Sequence, residues 1–239
     1  MTVPSAQLVL RPGKIVRVLS AITLVLLFAN VCGLLVAYAT GHDTALGVVP
    51  FFDFGAEQNL PSFFSGCLLL GGAVLFFLVS RARRQRIWLF LAGLFVFLSF
   101  DELFEVHEGL IQPIRERFHL GGFLYFAWVV VYGAGVLLLV AAFVGVWWRL
   151  PKRIRWWLGV SAATYLTGAI GFEMLGAKRF EAMQLATQVR FDLVYGVLYT
   201  IEESLEMAGS IMLIYGLLLL LQSEHEGFAV VIPGSQSAV

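Results

Sequence analysis

Six long apolar runs punctuate the chain, at roughly 15–40, 61–80, 87–112, 122–148, 156–178 and 191–222. A helix crossing a hydrocarbon core of about 30 Å needs about 20 mainly apolar residues, and each run supplies them. The fourth and sixth are long enough to tilt or to protrude. Between the first two lies a loop, Gly41 to Pro61, holding Pro50-Phe51-Phe52-Asp53-Phe54. That stretch is too short to span and is expected at the interface, with its rings at headgroup level. From Ser223 onward the chain turns polar and reads as a short frayed tail. The pattern predicts an all-α polytopic membrane protein: residues 1–222 form one six-helix transmembrane domain, and 223–239 form a cytoplasmic tail. No soluble domain and no linker interrupt it.

Basic residues orient the spans. Arg11, Lys14 and Arg17 precede the first. Arg81, Arg83, Arg84 and Arg86 join the second and third, and Arg149, Lys152, Arg153 and Arg155 join the fourth and fifth. These are 11 of the 16 basic residues, all on one side, which the positive-inside rule assigns to the cytoplasm with both termini. Arg115, Arg117, Lys178, Arg179 and Arg190 fall on the other side. Ala37-Tyr38-Ala39 resembles a signal-peptidase site. The apolar stretch before it is nearer 20 residues than the 7–15 or so of a signal core, so the first span is read as retained.

Composition removes other classes. The chain is 59% hydrophobic and 13% charged, with a mean hydropathy of +0.86; a soluble domain is about 45–50% apolar and about 25% charged. Acidic and basic residues balance at 16 each, leaving no basic surplus for nucleic acid. Walker, dinucleotide-binding, zinc-finger and GxSxG patterns are missing. Cys32 and Cys67 are too few for a disulfide scaffold and read as small buried apolar residues.

Against this background the acids stand out. The third span carries Asp101, Glu102, Glu105 and Glu108 with His107, the fifth carries Glu173, and the sixth carries Glu202, Glu203 and Glu206. An ionised residue at a helix centre costs about 2.5–3.5 kcal/mol, so eight facing lipid would cost on the order of 20 kcal/mol. They are expected to face the bundle interior or a wet cavity. No Lys or Arg lies deep in any span, so protons or bound cations must balance them. At about 1.5 Å per residue, Asp101 is roughly 21 Å and Glu173 roughly 25 Å from the cytoplasmic face, while Glu202 is roughly 16 Å from the outer one. Three segments thus reach one depth, in the outer half of the bilayer. Helical geometry puts Asp101, Glu105 and Glu108 within about 60° of one another, with Glu102 at the edge and His107 about 130° away. Glu202 and Glu206 share a face with Tyr195 and Tyr199 above them, and Glu203 sits at its edge.

Asp101-Glu102-x-x-Glu105 and Glu202-Glu203-x-x-Glu206 share an acid-acid-x-x-acid pattern on the third span of each half, and those spans run in opposite directions. A three-plus-three inverted repeat would produce this, as in many transporters. So would a di-iron or di-manganese carboxylate bundle. Hard oxygen donors with little histidine favour iron or manganese, with calcium as an alternative.

Other residues read more plainly. Tyr125, Trp128 and Tyr132 face one direction on the fourth span, as expected of aromatic packing and an interface belt. Thr164, Thr167, Gly168 and Gly171 form a small-residue face for close helix packing, which would bring Glu173 to the other acids. His42, Asp43, Asp53, Glu57 and His119 lie on the site's outer side and read as solvated loop residues.

The acidic motifs, Leu98-Ser99-Phe100-Asp101-Glu102 with His107-Glu108, and Ile201-Glu202-Glu203-Ser204-Leu205-Glu206-Met207-Ala208-Gly209, resemble those of a group of uncharacterised bacterial multi-pass inner-membrane proteins. The resemblance covers spans three to six. It implies a bacterial inner-membrane location and groups His107 with the acids. The expectation is a metal-dependent membrane enzyme oxidising or hydroxylating an apolar small molecule that arrives through the lipid bilayer. Asp101, Glu105, Glu108, Glu173, Glu202 and Glu206 would be ligands, with Glu102, Glu203, His107, Tyr195 and Tyr199 around them. The alternatives are a transporter or channel for divalent cations or protons, and an accessory subunit of a larger membrane complex or homo-oligomer.

Overall fold

The computed structural model describes residues 6–9, 11–41, 44, 47–186, 192–224 and 229–232. Within these, six helical segments are long and apolar enough to cross a membrane. They are α1 (Pro12–Thr40), α3 (Leu60–Arg83), α4 (Arg86–Phe104), α6 (Trp128–Trp148), the continuous stretch of α7 (Lys152–Leu166) and α8 (Glu173–Leu185), and α9 (Leu193–Glu224). Two short helices, α2 (Val48–Phe52) and α5 (Ile111–Phe118), sit in connections. Large apolar side chains cover the outside: Phe28 is 71% exposed, and Leu137 and Leu138 are each 73% exposed. Apolar surface on this scale needs lipid around it.

Helix α9 is the central post, flanked by α1, α3 and α7. Met207, Ile211, Ile214, Leu217, Leu218, Leu220 and Leu221 form its buried face. Small residues set the spacing, as expected where lipid supplies no drive to squeeze helices together. Ser161 Oγ donates to the Gly209 carbonyl at 2.8 Å, and a Cβ on Gly209 would lie 2.7 Å from the backbone nitrogen of Tyr165. Ser99 Oγ likewise donates to the Gly66 carbonyl at 2.8 Å, locking α4 to α3. Helix α6 is peripheral. Only Trp128 and Val129 are buried along it, and Leu139, Phe143, Val146 and Trp147 pack partly buried against the core.

The span boundaries bring two corrections. The third span ends at Phe104, not near 112. Glu105 takes the left-handed conformation (φ 55°) and its N–H caps back to the Asp101 carbonyl at 2.8 Å. The chain then turns through a short 3-10 segment, Glu108–Leu110, into α5. The fifth span runs on to Leu185 and contains a π-helical stretch, Thr167–Phe172, directly before Glu173.

The expected fraying of the tail is also revised in part. Helix α9 continues to Glu224, where Arg83 Nη2 donates to Glu224 Oε1 at 2.6 Å. Residues 229–232 then pair antiparallel with 6–9, Ala6 opposite Ile232; residues 225–228 and 233–239 lie outside the described residues. Both terminal segments therefore meet at the arginine-rich end of the bundle. Cys32 and Cys67, expected to be buried, are free and exposed on the outside.

Candidate carboxylate site

The acids gather at the other end, where the loops are, and each arrives for a local reason. Asp101 and Glu102 occupy the last turn of α4. The left-handed turn at Glu105 then folds His107 back over that turn: its backbone N–H donates to Asp101 Oδ1 at 2.8 Å, and its Nδ1 lies 3.3 Å from the same oxygen. This overturns the angular argument that set His107 apart, since residues 105–107 form a turn and the α-helix does not continue through them. The shared stripe of Asp101, Glu105 and Glu108 does not form for the same reason. Asp101 is 4% exposed, and its second oxygen accepts from the Tyr132 hydroxyl at 2.9 Å.

Glu173 is delivered by the π-helical stretch. One extra residue per turn rotates the next side chains out of α-helical register, and such bulges recur at functional sites. The stretch lies against α9 through Gly168, whose Cβ would stand 2.7 Å from the Glu202 carbonyl oxygen and 3.1 Å from Glu206 Cγ. Gly171, read as part of the same packing face, meets only Thr167 of its own helix, at 3.9 Å. The Glu173 carboxyl accepts from Trp128 Nε1 at 2.6 Å and contacts the Glu202 carboxyl. Glu203 and Glu206 feel Glu102 as a neighbouring charge, and Tyr165 faces Glu206. The structure thus brings Glu102, Glu173, Glu202, Glu203 and Glu206 together inside, with Asp101 and His107 at their edge.

Glu105 and Glu108 sit at the mouth. Gln58 Nε2 donates to Glu105 Oε1 at 3.1 Å. Burial and the Glu105 charge raise the Glu108 pKa. Burial disfavours the charged His107 ring, but Asp101 outweighs it and holds the imidazole above its usual value.

Several participants were not legible in the sequence. Glu57, read as a solvated loop acid, is turned toward the cluster. Its pKa rises to about 8, through burial first and the charge of Glu102 next. The charges of Glu105 and Glu108 push in the same direction. Asn30, only 2% exposed in the middle of α1, holds this loop in place. It donates to Thr200 Oγ1 at 2.9 Å and accepts from the Phe54 N–H at 2.9 Å. Phe54 is therefore buried, not at headgroup level, at 4% exposure. Trp128 and Tyr132 hydrogen-bond the acids, which corrects their reading as packing alone. Tyr125 instead stacks under Arg115, 4.2 Å from the guanidinium carbon to the ring centre. Tyr195 lies within electrostatic reach of Glu173 and Glu202, and Tyr199 lies against Asp53.

The nearby cations are engaged elsewhere. Lys178 lies over the Phe123 ring at 4.5 Å, and Arg179 pairs with Asp192, holding that carboxyl below its usual range. Arg190, His42 and Asp43 lie outside the described residues, and His119 is an exposed cap of α5. Ser65 Oγ is buried beside Glu102 without a hydrogen bond of normal geometry. Among the described residues no group of three or more His, Cys, Asp or Glu is set at metal-ligating spacing.

Fold and site together define a multi-pass helical membrane protein with carboxylates gathered inside one end of its bundle. The chain belongs to the family described as Domain of unknown function (DUF8692), which matches residues 18–221. No curated protein and no solved structure matches it.

Proposed function

We propose that the carboxyl cluster binds a divalent cation, iron or manganese before calcium, and that the protein is a metal-dependent membrane enzyme acting on an apolar substrate. One observation carries this. Five carboxyls from α4, α8 and α9 converge with no described lysine or arginine among them, and a buried hydroxyl, Ser65, is left without a regular partner beside them. The one histidine at the edge, His107, pairs with Asp101 and not with these five. The five need protons or a cation, and hard oxygen donors suit these metals.

Glu102, Glu173, Glu202, Glu203 and Glu206 form the ligand set, closing around the ion as it binds. Both Asp101 oxygens already accept hydrogen bonds, so Asp101 orients His107 more than it ligates. Glu57, Glu105 and Glu108 form the entrance. The arginine-rich end faces the cytoplasm, which puts the entrance on the outer side of a bacterial inner membrane.

The enzyme reading is favoured over transport because the bundle is shut beneath the acids. Met207, Leu217, Leu220 and Trp88 are each 0% exposed along the remaining length, while a permeation path needs polar lining on both sides of its site. Elemental analysis of protein purified without an affinity metal tests the reading. Near-stoichiometric iron or manganese, lost in Glu202→Ala and Glu203→Ala, is expected. Wild-type protein that is folded and metal-free, and that takes up neither ion on addition, sinks it.

A further inference from the structure

A cavity of about 220 Å³ lies beside the carboxyl cluster, between α1, the loop after α2, α8 and α9. Two phenol rings form a corner of its wall: Tyr195 and Tyr199 stand 5.4 Å apart between centres, with their planes at 78°. Leu34, Val49 and Met183 give it apolar sides, and Asp53 and Asp192 its charge. The two acids differ. Asp192 is neutralised by Arg179, whereas Asp53 makes no ion pair among the described residues; it accepts the Gly55 N–H at 3.0 Å and lies against Tyr199. That contact also explains Gly55. A Cβ there would stand 2.7 Å from the Tyr199 ring, so only glycine lets the loop hold Asp53 at the cavity.

A carboxylate with no ion-pair partner among the described residues calls for a cation. Aromatic faces and aliphatic walls select which kind. A small inorganic ion would have to shed its water against apolar surface, at high cost. An alkylammonium group loses little hydration, gains from the ring faces, and fills the aliphatic space. The volume suffices: an apolar cavity of about 150 Å³ already holds benzene. We propose that this cavity binds an alkylammonium group through Asp53, Tyr195 and Tyr199. The group belongs either to a free amine or to the headgroup of an amine-bearing lipid. None of these residues is in the proposed metal-ligand set, so the assignment goes beyond the reading above and does not depend on it.

The test is calorimetric titration of the full chain, in phosphatidylglycerol nanodiscs, with tetramethylammonium and with neutral tert-butanol. Saturable binding of tetramethylammonium is expected, with tert-butanol weaker by about tenfold or more. Asp53→Asn, which keeps an acceptor for Gly55, and Tyr199→Leu should each weaken tetramethylammonium by about tenfold. Absence of saturable binding to the folded wild type overturns the proposal, as does equal affinity in both variants. Repeating the titration in phosphatidylethanolamine nanodiscs separates the two sources: competition there assigns the site to the lipid headgroup, and unchanged affinity assigns it to a free amine. Metal content of the Asp53→Asn protein should match wild type, so failure here and failure of the metal reading are told apart.

Discussion

Gly168 lies so close to α9 that a β-carbon on it would stand 2.7 Å from the backbone oxygen of Glu202. This contact sets the distance between the two segments that carry Glu173 and Glu202. Backbone cannot step aside as a flexible side chain can. Gly168→Ala should therefore cost about 1–3 kcal/mol of stability and push the two carboxyls apart. Gly171→Ala, which meets nothing beyond its own helix, should stay within about 0.5 kcal/mol of wild type. Unfolding of both variants in one detergent checks the difference, and equal melting temperatures would contradict the packing argument.

The Trp128 indole N–H donates to the Glu173 carboxyl, and the ring packs 4.9 Å from that of His107. Trp128→Phe keeps much of the packing and removes the donor. Orienting partners of this kind are typically worth 10–100-fold in metal affinity, so a loss of about that size is expected with the fold retained. Tyr132→Phe, which removes the donor to Asp101, should act in the same direction. A competition titration with a coloured chelator measures both, and affinities equal to wild type would deny these donors any part in the site.

Glu105 holds a backbone conformation that side chains adopt at a cost of roughly 1–2 kcal/mol and that glycine adopts freely. Glu105→Gly removes this cost along with the exposed contact to Gln58. It should melt at the wild-type temperature or above it, yet take up metal more slowly, because an entrance carboxylate is gone. Stopped-flow uptake beside thermal unfolding reads both quantities. A destabilised variant would mean that the Glu105 side chain, not the turn, holds this corner.

The same turn shows where sequence reasoning stops. Six spans follow from hydropathy, and six candidate helices are present, although the third ends earlier, the fourth starts later and the fifth runs longer than the pattern implies. The acids inside the spans could be singled out because lipid makes each one costly. The end of α4 could not, since residues 105–108 contain neither glycine nor proline and glutamate is a good helix former. The first breaker in the sequence is Gly109. Everything that depended on 105–108 being α-helical, including the angle given to His107, failed with it. Glu57 and Asn30 were illegible for another reason: their roles come from a loop folding back between α1 and α9, a tertiary event with no period to detect. Trp128 and Tyr132 were seen on one face, but aromatic residues near a span's end are so ordinary that nothing distinguished these two. The π-helical stretch carries no sequence mark beyond its glycines.

Asp192 ties the start of α9 to α8. It accepts the Tyr195 N–H at 2.8 Å and pairs with Arg179, whose guanidinium holds the carboxyl below its usual range. A carboxylate with a lowered pKa stabilises the fold fully above its unfolded value, near 3.9. That contribution is lost as pH falls through the lowered one. Asp192→Asn can still cap the helix but cannot form the ion pair. The variant should melt below wild type at neutral pH, and the gap should close as the pH falls through the lowered pKa of Asp192. A gap of constant size across that range would assign the effect to something other than the ion pair.

A transport path would need polar lining on both sides of the acids. Beneath Glu203 and Glu206, α9 continues as Met207, Ile211, Ile214, Leu217 and Leu221, each at most 6% exposed. Trp88 and Val79 close against the same core, both at 0%. Ser210 is a buried hydroxyl in that stretch with no hydrogen-bond partner among the described residues. An ion leaving the acids toward the arginine-rich end would lose its ligands and find none to replace them. The cost of bare charge in such surroundings, several kcal/mol or more, forbids turnover at a useful rate. Proteoliposomes holding a manganese-quenched dye should therefore show no flux above protein-free vesicles, with or without a proton gradient. The same preparation should still bind the ion from the loop side. Flux that disappears in Glu202→Ala would reverse the choice between enzyme and transporter, and would require the apolar half of the bundle to open.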